Sequence, residues 1–157
     1  MRLHSFSDLL QIYKQAMPVL YNHVLRFENT SVVLDFLSAN RDETRRLITS
    51  IHIKAYVKTS SRNALHSLAE AKSLKTLQID QGVAAVGDPT KAAKDFLSDA
   101  YKFLEAMGTL KGSKDAGLDL IVFGKKAFTY RDDKKNEKVW SADLVTEFKD
   151  IIRTKLK

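Results

Sequence analysis

The chain contains no cysteine. Disulfides, Cys-ligated zinc, iron–sulfur clusters and thiol catalysis are excluded together, and a reducing compartment suits such a sequence. Only two prolines and six glycines occur among 157 residues, too few for a collagen-like or linker-rich chain. No run approaches the roughly 18 apolar residues of a membrane span. The amino terminus shows no charged segment leading into an apolar core, so no secretory leader is expected. The expected location is intracellular, either cytoplasmic or nuclear, with no membrane partner. The four histidines, His4, His23, His52 and His66, form neither an HxH nor an HExxH pattern, so no metal centre is expected. No cofactor signature and no catalytic set emerges, and the chain reads as non-enzymatic.

What is present is the composition of one folded domain. Hydrophobic residues make up 44%, above the range of disordered chains. The length suits a single α/β domain over residues 1–157 with a core of its own. Lys and Arg outnumber Asp and Glu by 26 to 19, a formal charge of +7. The excess is spread: residues 1–80 hold 11 basic against 7 acidic, and residues 81–157 hold 15 against 12. Neither half is a basic tail, so most of the charge is read as solvated surface.

The strongest pattern is an apolar triplet at offsets 0, 3 and 5. It occurs as Ile48-Ile51-Ile53, Leu74-Leu77-Ile79 and Leu118-Ile121-Phe123, with a weaker copy at Asn22-Leu25-Phe27. Segments of helical period lie between the copies. The strands expected are His23–Phe27, Ile48–Ala55, Leu74–Ile79 and Leu118–Phe123. A helix is expected over residues 5–17 through Phe6, Leu9, Leu10, Tyr13 and Met17, ending at Pro18. Asn29 or Thr30 opens the next helix, and Asn40 with Glu43 frames a further turn as a capping box. Thr59–Ser61 is the expected cap of a helix carrying Ala64, Leu65, Leu68 and Ala71. Asp88-Pro89 starts a helix that should run to Met107 and stop at Gly108. Phe128–Tyr130 and Lys138–Trp140 frame a hairpin, and Ser141 caps the last helix through Phe148 and Ile152.

These elements give a two-layer α/β fold: a mainly parallel sheet of about four strands with helices on one face, resembling an irregular leucine-rich repeat, plus a C-terminal hairpin and helix. Two triplet positions two residues apart share a face, and the residue between them takes the other. Those intervening residues are Arg26, His52, Gln78 and Val122. They should form a row on the second face, wet under the first three strands. The fourth strand is apolar almost throughout, so the hairpin or last helix is expected to cover its far face.

Other constellations are weaker. Gly82–Lys91 has P-loop glycine spacing, but Asp88-Pro89 stands where Lys-Ser/Thr is needed, so the segment reads as a loop and helix cap. Asp132, Asp133 and Glu137 sit in a Lys-rich turn and read as solvated carboxylates. Lys125, Lys126, Arg131, Lys134, Lys135 and Lys138 interleave with Phe128, Tyr130 and Trp140, the ingredients of single-strand nucleic-acid binding.

QIYKQAMPVLY (Gln11–Tyr21), HVLRFEN (His23–Asn29) and VVLDFL (Val32–Leu37) resemble a group of filamentous-fungal proteins. In that group an IY-x-E-A-x-P-x-LY phrase precedes a strand and a helix. Ile12, Tyr13, Ala16, Pro18, Leu20 and Tyr21 match the phrase, while Gln15 stands where the group carries an acid. The resemblance covers roughly the first half of the chain. It implies irregular leucine-rich-like repeats and no catalytic residues. Many members carry an F-box-like segment upstream, which is missing here, so docking to a ubiquitin-ligase core is not carried over. The Asn or Cys of true leucine-rich repeats is replaced by Thr30, Tyr56, Gly82 and Lys126.

The expected function is a protein-interaction module that uses the open sheet face at Arg26, His52 and Gln78 with the adjoining loops. The alternative is a basic nucleic-acid binder using Lys125, Lys126, Arg131, Lys134, Lys135 and Trp140 of the hairpin. A third reading is a secreted fungal effector whose signal has been trimmed.

Overall fold

A computed structural model describes residues 21–156 together with Gln11, Gln15, Ala16 and Val19. The helix expected over 5–17 falls mostly outside these residues; Gln11, Gln15 and Ala16 are helical. The Pro18 stop and most of the fungal-type phrase, including Ile12, Tyr13, Pro18 and Leu20, also lie outside them.

Four parallel strands form one sheet in sequential order: β1 (Val24–Asn29), β2 (Ser50–Ala55), β3 (Thr76–Gln81) and β4 (Ile121–Lys126). Helices α1 (Thr30–Ala39), α3 (Lys58–Leu68) and α4 (Pro89–Lys111) connect them, with short α2 (Asp42–Arg45) and α5 (Ala116–Asp119). A hairpin of β5 (Thr129–Arg131) and β6 (Glu137–Val139) precedes α6 (Ala142–Lys155). Helices α1, α3, α4 and α6 pack side by side, each against the next.

Register follows the triplets. Leu25, Ile51, Leu77 and Ile121 are partners across the sheet, and so are Phe27, Ile53, Ile79 and Phe123. These rows face the helices. Ile51, Ile53, Leu77 and Ile79 are sealed among Ala64, Leu65, Leu68, Phe96 and Ala100. The triplets' first members lie ahead of the strands. Ile48 and Leu74 are fully buried below the strand starts, and Leu118 belongs to α5 rather than to β4.

Several helix ends differ from expectation, and at one of them a distant residue anchors the turn. Asn29 does cap α1, accepting from Val32 N at 3.0 Å. Asn40 ends that helix instead of starting the next: its Nδ2 donates to Phe36 O at 2.6 Å. α3 begins at Lys58, and Ser60 and Ser61 are buried in its first turn. Thr30, at the head of α1, anchors that start by accepting from Val57 N at 3.0 Å and meeting Ser60 Oγ at 2.7 Å. α4 runs past Gly108 to Lys111 and stops at Gly112, whose φ of 74° is the left-handed conformation glycine adopts without a Cβ penalty. Asp88 caps its start through Thr90 N at 2.9 Å, with Pro89 in the first turn.

The last helix and hairpin do not cover the far face of β4. They close the helix-side layer instead, where Phe148 meets the rings of Phe96, Phe123, Phe128 and Trp140 at centroid distances of 5.0–5.9 Å. Val122 is left 48% exposed. Four aromatic partners hold the hairpin and α6 on the helix side, whereas Val122 is the one large apolar side chain that β4 turns to its far face.

Phe148 joins α4, β4, the hairpin and α6 through one fully buried ring. Phe148→Ala should cost about 3–5 kcal/mol, a large part of a typical domain's stability. Urea unfolding should show a clearly lowered midpoint.

Candidate functional site on the open sheet face

In parallel β-structure both faces are normally covered, and the strands are then apolar throughout. Here one face carries alternating polar residues and no described segment packs over it. Arg26, His52, Gln78 and Val122 are register partners, so the row expected from sequence forms as a straight line across all four strands. One row further along lie Glu28, Lys54 and Asp80, followed by Gly124 of β4.

The polar groups of this face bond to one another. Arg26 Nη1 donates to His52 Nδ1 at 2.7 Å, and His52 Nε2 meets Asp80 Oδ2 at 2.5 Å. Gln78 Nε2 donates to Asp80 Oδ1 at 2.9 Å. A guanidinium can only donate, so Nδ1 must be the acceptor and Nε2 must carry the hydrogen given to Asp80. His52 thus bridges the Arg26 guanidinium and the Asp80 carboxylate. Burial against the sheet raises the Asp80 carboxyl, but the hydrogen bonds from His52 and Gln78, with the charge of Arg26, outweigh it and hold it below its ordinary value. Lys54 adds a looser pair with Glu28 at 3.7 Å, both largely exposed. Exposed pairs of this kind contribute at most about 1 kcal/mol each. The chain of bonds therefore does more to fix side-chain positions than to stabilise the fold.

Asp80 was not among the residues singled out from sequence. The strand was expected to end at Ile79, whereas it continues to Gln81 and places Asp80 on the same face as Gln78. The pairing of β3 with β4 slips beside it: Ile79 pairs with Phe123 but Gln81 with Lys126. Two residues of β4, Gly124 and Lys125, oppose the single Asp80, a β-bulge. Gly124 is required there, since a Cβ would lie 2.7 Å from Asp80 Cα and 2.8 Å from its Oδ1.

The hairpin disperses the residues of the alternative site. Lys125 and Lys126 end β4, and Arg131, Lys134 and Lys135 lie at or near the hairpin tip, all exposed. Trp140 is only 6% exposed, stacked on Phe128 at 4.9 Å and donating Nε1–H to Val86 O at 3.0 Å. Neither ring is open to a base. Asp132 is spent on the turn, accepting from Lys134 N and Asn136 N at 3.0 and 2.8 Å.

A second polar cluster joins α3 to α4. Asp99, 7% exposed, accepts from Tyr56 Oη at 2.8 Å and Ser61 Oγ at 3.1 Å, with Arg62 Nε at 3.4 Å. Burial, reinforced by the Asp99 carboxylate, pushes the Tyr56 hydroxyl far up, so it stays a donor. This cluster borders a 220 Å³ cleft at the carboxyl ends of β2 and β3, whose Lys58 pairs with Asp95 at 3.7 Å. The Arg62–Asp99 and Lys58–Asp95 pairs both tie α3 to α4, which suits a helix clasp.

Among the described residues no cluster of three His, Asp or Glu could hold a metal ion, and no helix is long and apolar enough to cross a membrane. No family model, curated protein or solved structure significantly matches this chain.

Two outcomes follow from the geometry of Asp80. Its folded carboxyl is more acidic than the unfolded one, so its stabilising contribution is complete above about pH 4 and is lost as pH falls through the lowered folded value. The stability gap between wild type and Asp80→Asn, measured by urea unfolding, should therefore be larger at pH 6 than at pH 3. Gly124→Ala should destabilise by about 1–3 kcal/mol, because backbone must move to admit the methyl; the same denaturation curves measure it.

Proposed function

We propose that the chain is a non-enzymatic protein-interaction module whose open sheet face, centred on Arg26, His52, Asp80 and Gln78, docks a protein partner. The observation that carries this reading is the pre-set hydrogen-bonded row on a parallel-sheet face that no described segment covers. Side chains already held in place lose little freedom on binding, which lowers the entropic cost of association. Arginine is enriched among the residues that dominate interface energies, and Arg26 is exposed at one end of the row. Val122 ends the row and Val24 lies beside Arg26 on β1, 48% and 50% exposed, and both add apolar surface. Both ring nitrogens of His52 are occupied, which argues against a general base or a metal ligand at this position. A nucleic-acid surface on the hairpin has less support, since Phe128 and Trp140, two of its three aromatic rings, are buried and unavailable for stacking.

Quantitative pull-down from cell extract tests this with wild type and Arg26→Ala/His52→Ala/Gln78→Ala, each shown to be folded by its thermal melt. Partners held by the face should fall at least about tenfold in the triple variant, the loss expected from removing a dominant interface residue. Identical partner lists and yields would reject this face.

A further inference from the structure

A separate surface lies along the outer edge of β4. Five consecutive residues, Ile121 to Lys125, line one groove of 420 Å³. Alternate residues of a strand point to opposite faces, so consecutive lining means that the groove follows the strand's free edge. Phe128, Val139, Trp140, Val145 and Lys149 form its other wall.

Among the described residues the edge is unpaired. Leu77 N–H donates to Leu120 O at 3.0 Å, and Leu77 is in register with Ile121. In a parallel ladder that phase turns the N–H and C=O of Ile121 and Phe123 away from β3. No other described backbone group reaches them. A strand laid there would add a fifth member to the sheet. Its alternate side chains would enter the groove against Phe123, Phe128, Val139 and Val145.

Charge selects the occupant. Lys149 stands over the Phe123 ring at 5.8 Å, and Lys125 borders the same groove. Neither forms an ion pair with a described residue, and no acidic residue lines the groove beside them. A second copy of this chain, β4 against β4, would set these lysines against one another. We propose that the β4 edge binds an extended acidic peptide segment by strand addition, with apolar side chains alternating with Asp or Glu. Main-chain bonds supply the affinity, and the groove and lysines supply the selectivity.

Fluorescence anisotropy with labelled heptapeptides tests this. One series alternates Val, Ile or Phe with Glu, a second replaces Glu by Lys, and a third carries the Glu sequences N-methylated on alternate amides. The Glu series should bind saturably, and the Lys and N-methylated series at least about tenfold more weakly, the loss of a few main-chain bonds and two charge contacts. Lys125→Glu/Lys149→Glu should abolish the preference for Glu. Amide hydrogen exchange should slow at Ile121 and Phe123 on binding. The Arg26→Ala/His52→Ala/Gln78→Ala variant should bind the peptides as wild type does, so loss of the open-face reading leaves this one standing. The proposal is overturned by no saturable binding from any Glu peptide, by equal binding of the Glu and Lys series, or by indifference to N-methylation. It is also overturned if sedimentation shows copies of the chain, or anisotropy shows a single-stranded oligonucleotide, occupying the edge in preference to the peptides.

Discussion

Everything in this molecule depends on lateral register. Two apolar rows, Leu25-Ile51-Leu77-Ile121 and Phe27-Ile53-Ile79-Phe123, are buried under helices on one side of the sheet. A slip of one residue in any strand would turn its apolar pair to water and drive a polar residue into the core. Register is thus fixed by burial on the helix side. The order of polar residues on the opposite side is a consequence, because those residues occupy the intervening positions of the same strands. The line from Arg26 through His52 and Gln78 is straight because the hydrophobic rows beneath it are straight.

The two sides obey different rules. On the helix side, the buried polar clusters bond internally, and among the described residues Asp115 Oδ1 and Thr129 Oγ1 are buried side-chain atoms left without a partner. Thr30 bridges Val57 and Ser60, and Asp99 gathers Tyr56, Ser61 and Arg62. Leaving any of these buried groups without its partner would cost roughly 1–3 kcal/mol. On the open side the same kinds of group remain partly solvated, so water can replace lost partners at small cost. That side can change without loss of the fold, which suits a surface that meets other molecules.

Much of the sheet was legible in the sequence because strands of period two and helices of period 3.6 write different patterns. Arg26, His52 and Gln78 are each 26 residues apart, so the row could be read before any geometry was known. What was hidden depends on contacts distant in sequence. Asp80 joined the face because β3 outlasts its apolar positions by two residues, a continuation permitted by the bulge and bare Cα at Gly124. Thr59–Ser61 resembled a cap, but Thr30, a strand away, fills that role. Trp140 and Phe128 resembled exposed stacking residues because their alternation in the hairpin is visible, while the ring of Phe148 that covers them is not. The apolar run of β4 invited a cover on its far face; the aromatic cluster on the near side claimed the hairpin and α6 instead.

Trp140 is the chain's sole tryptophan. Its indole stacks on Phe128 and hydrogen-bonds to the carbonyl of Val86, so it sits where the carboxy-terminal quarter of the chain closes on the body of the sheet. The tryptophan emission of this protein, excited apart from its five tyrosines, therefore comes from that seam alone. Its colour reports whether the seam is shut or wetted, with no label attached.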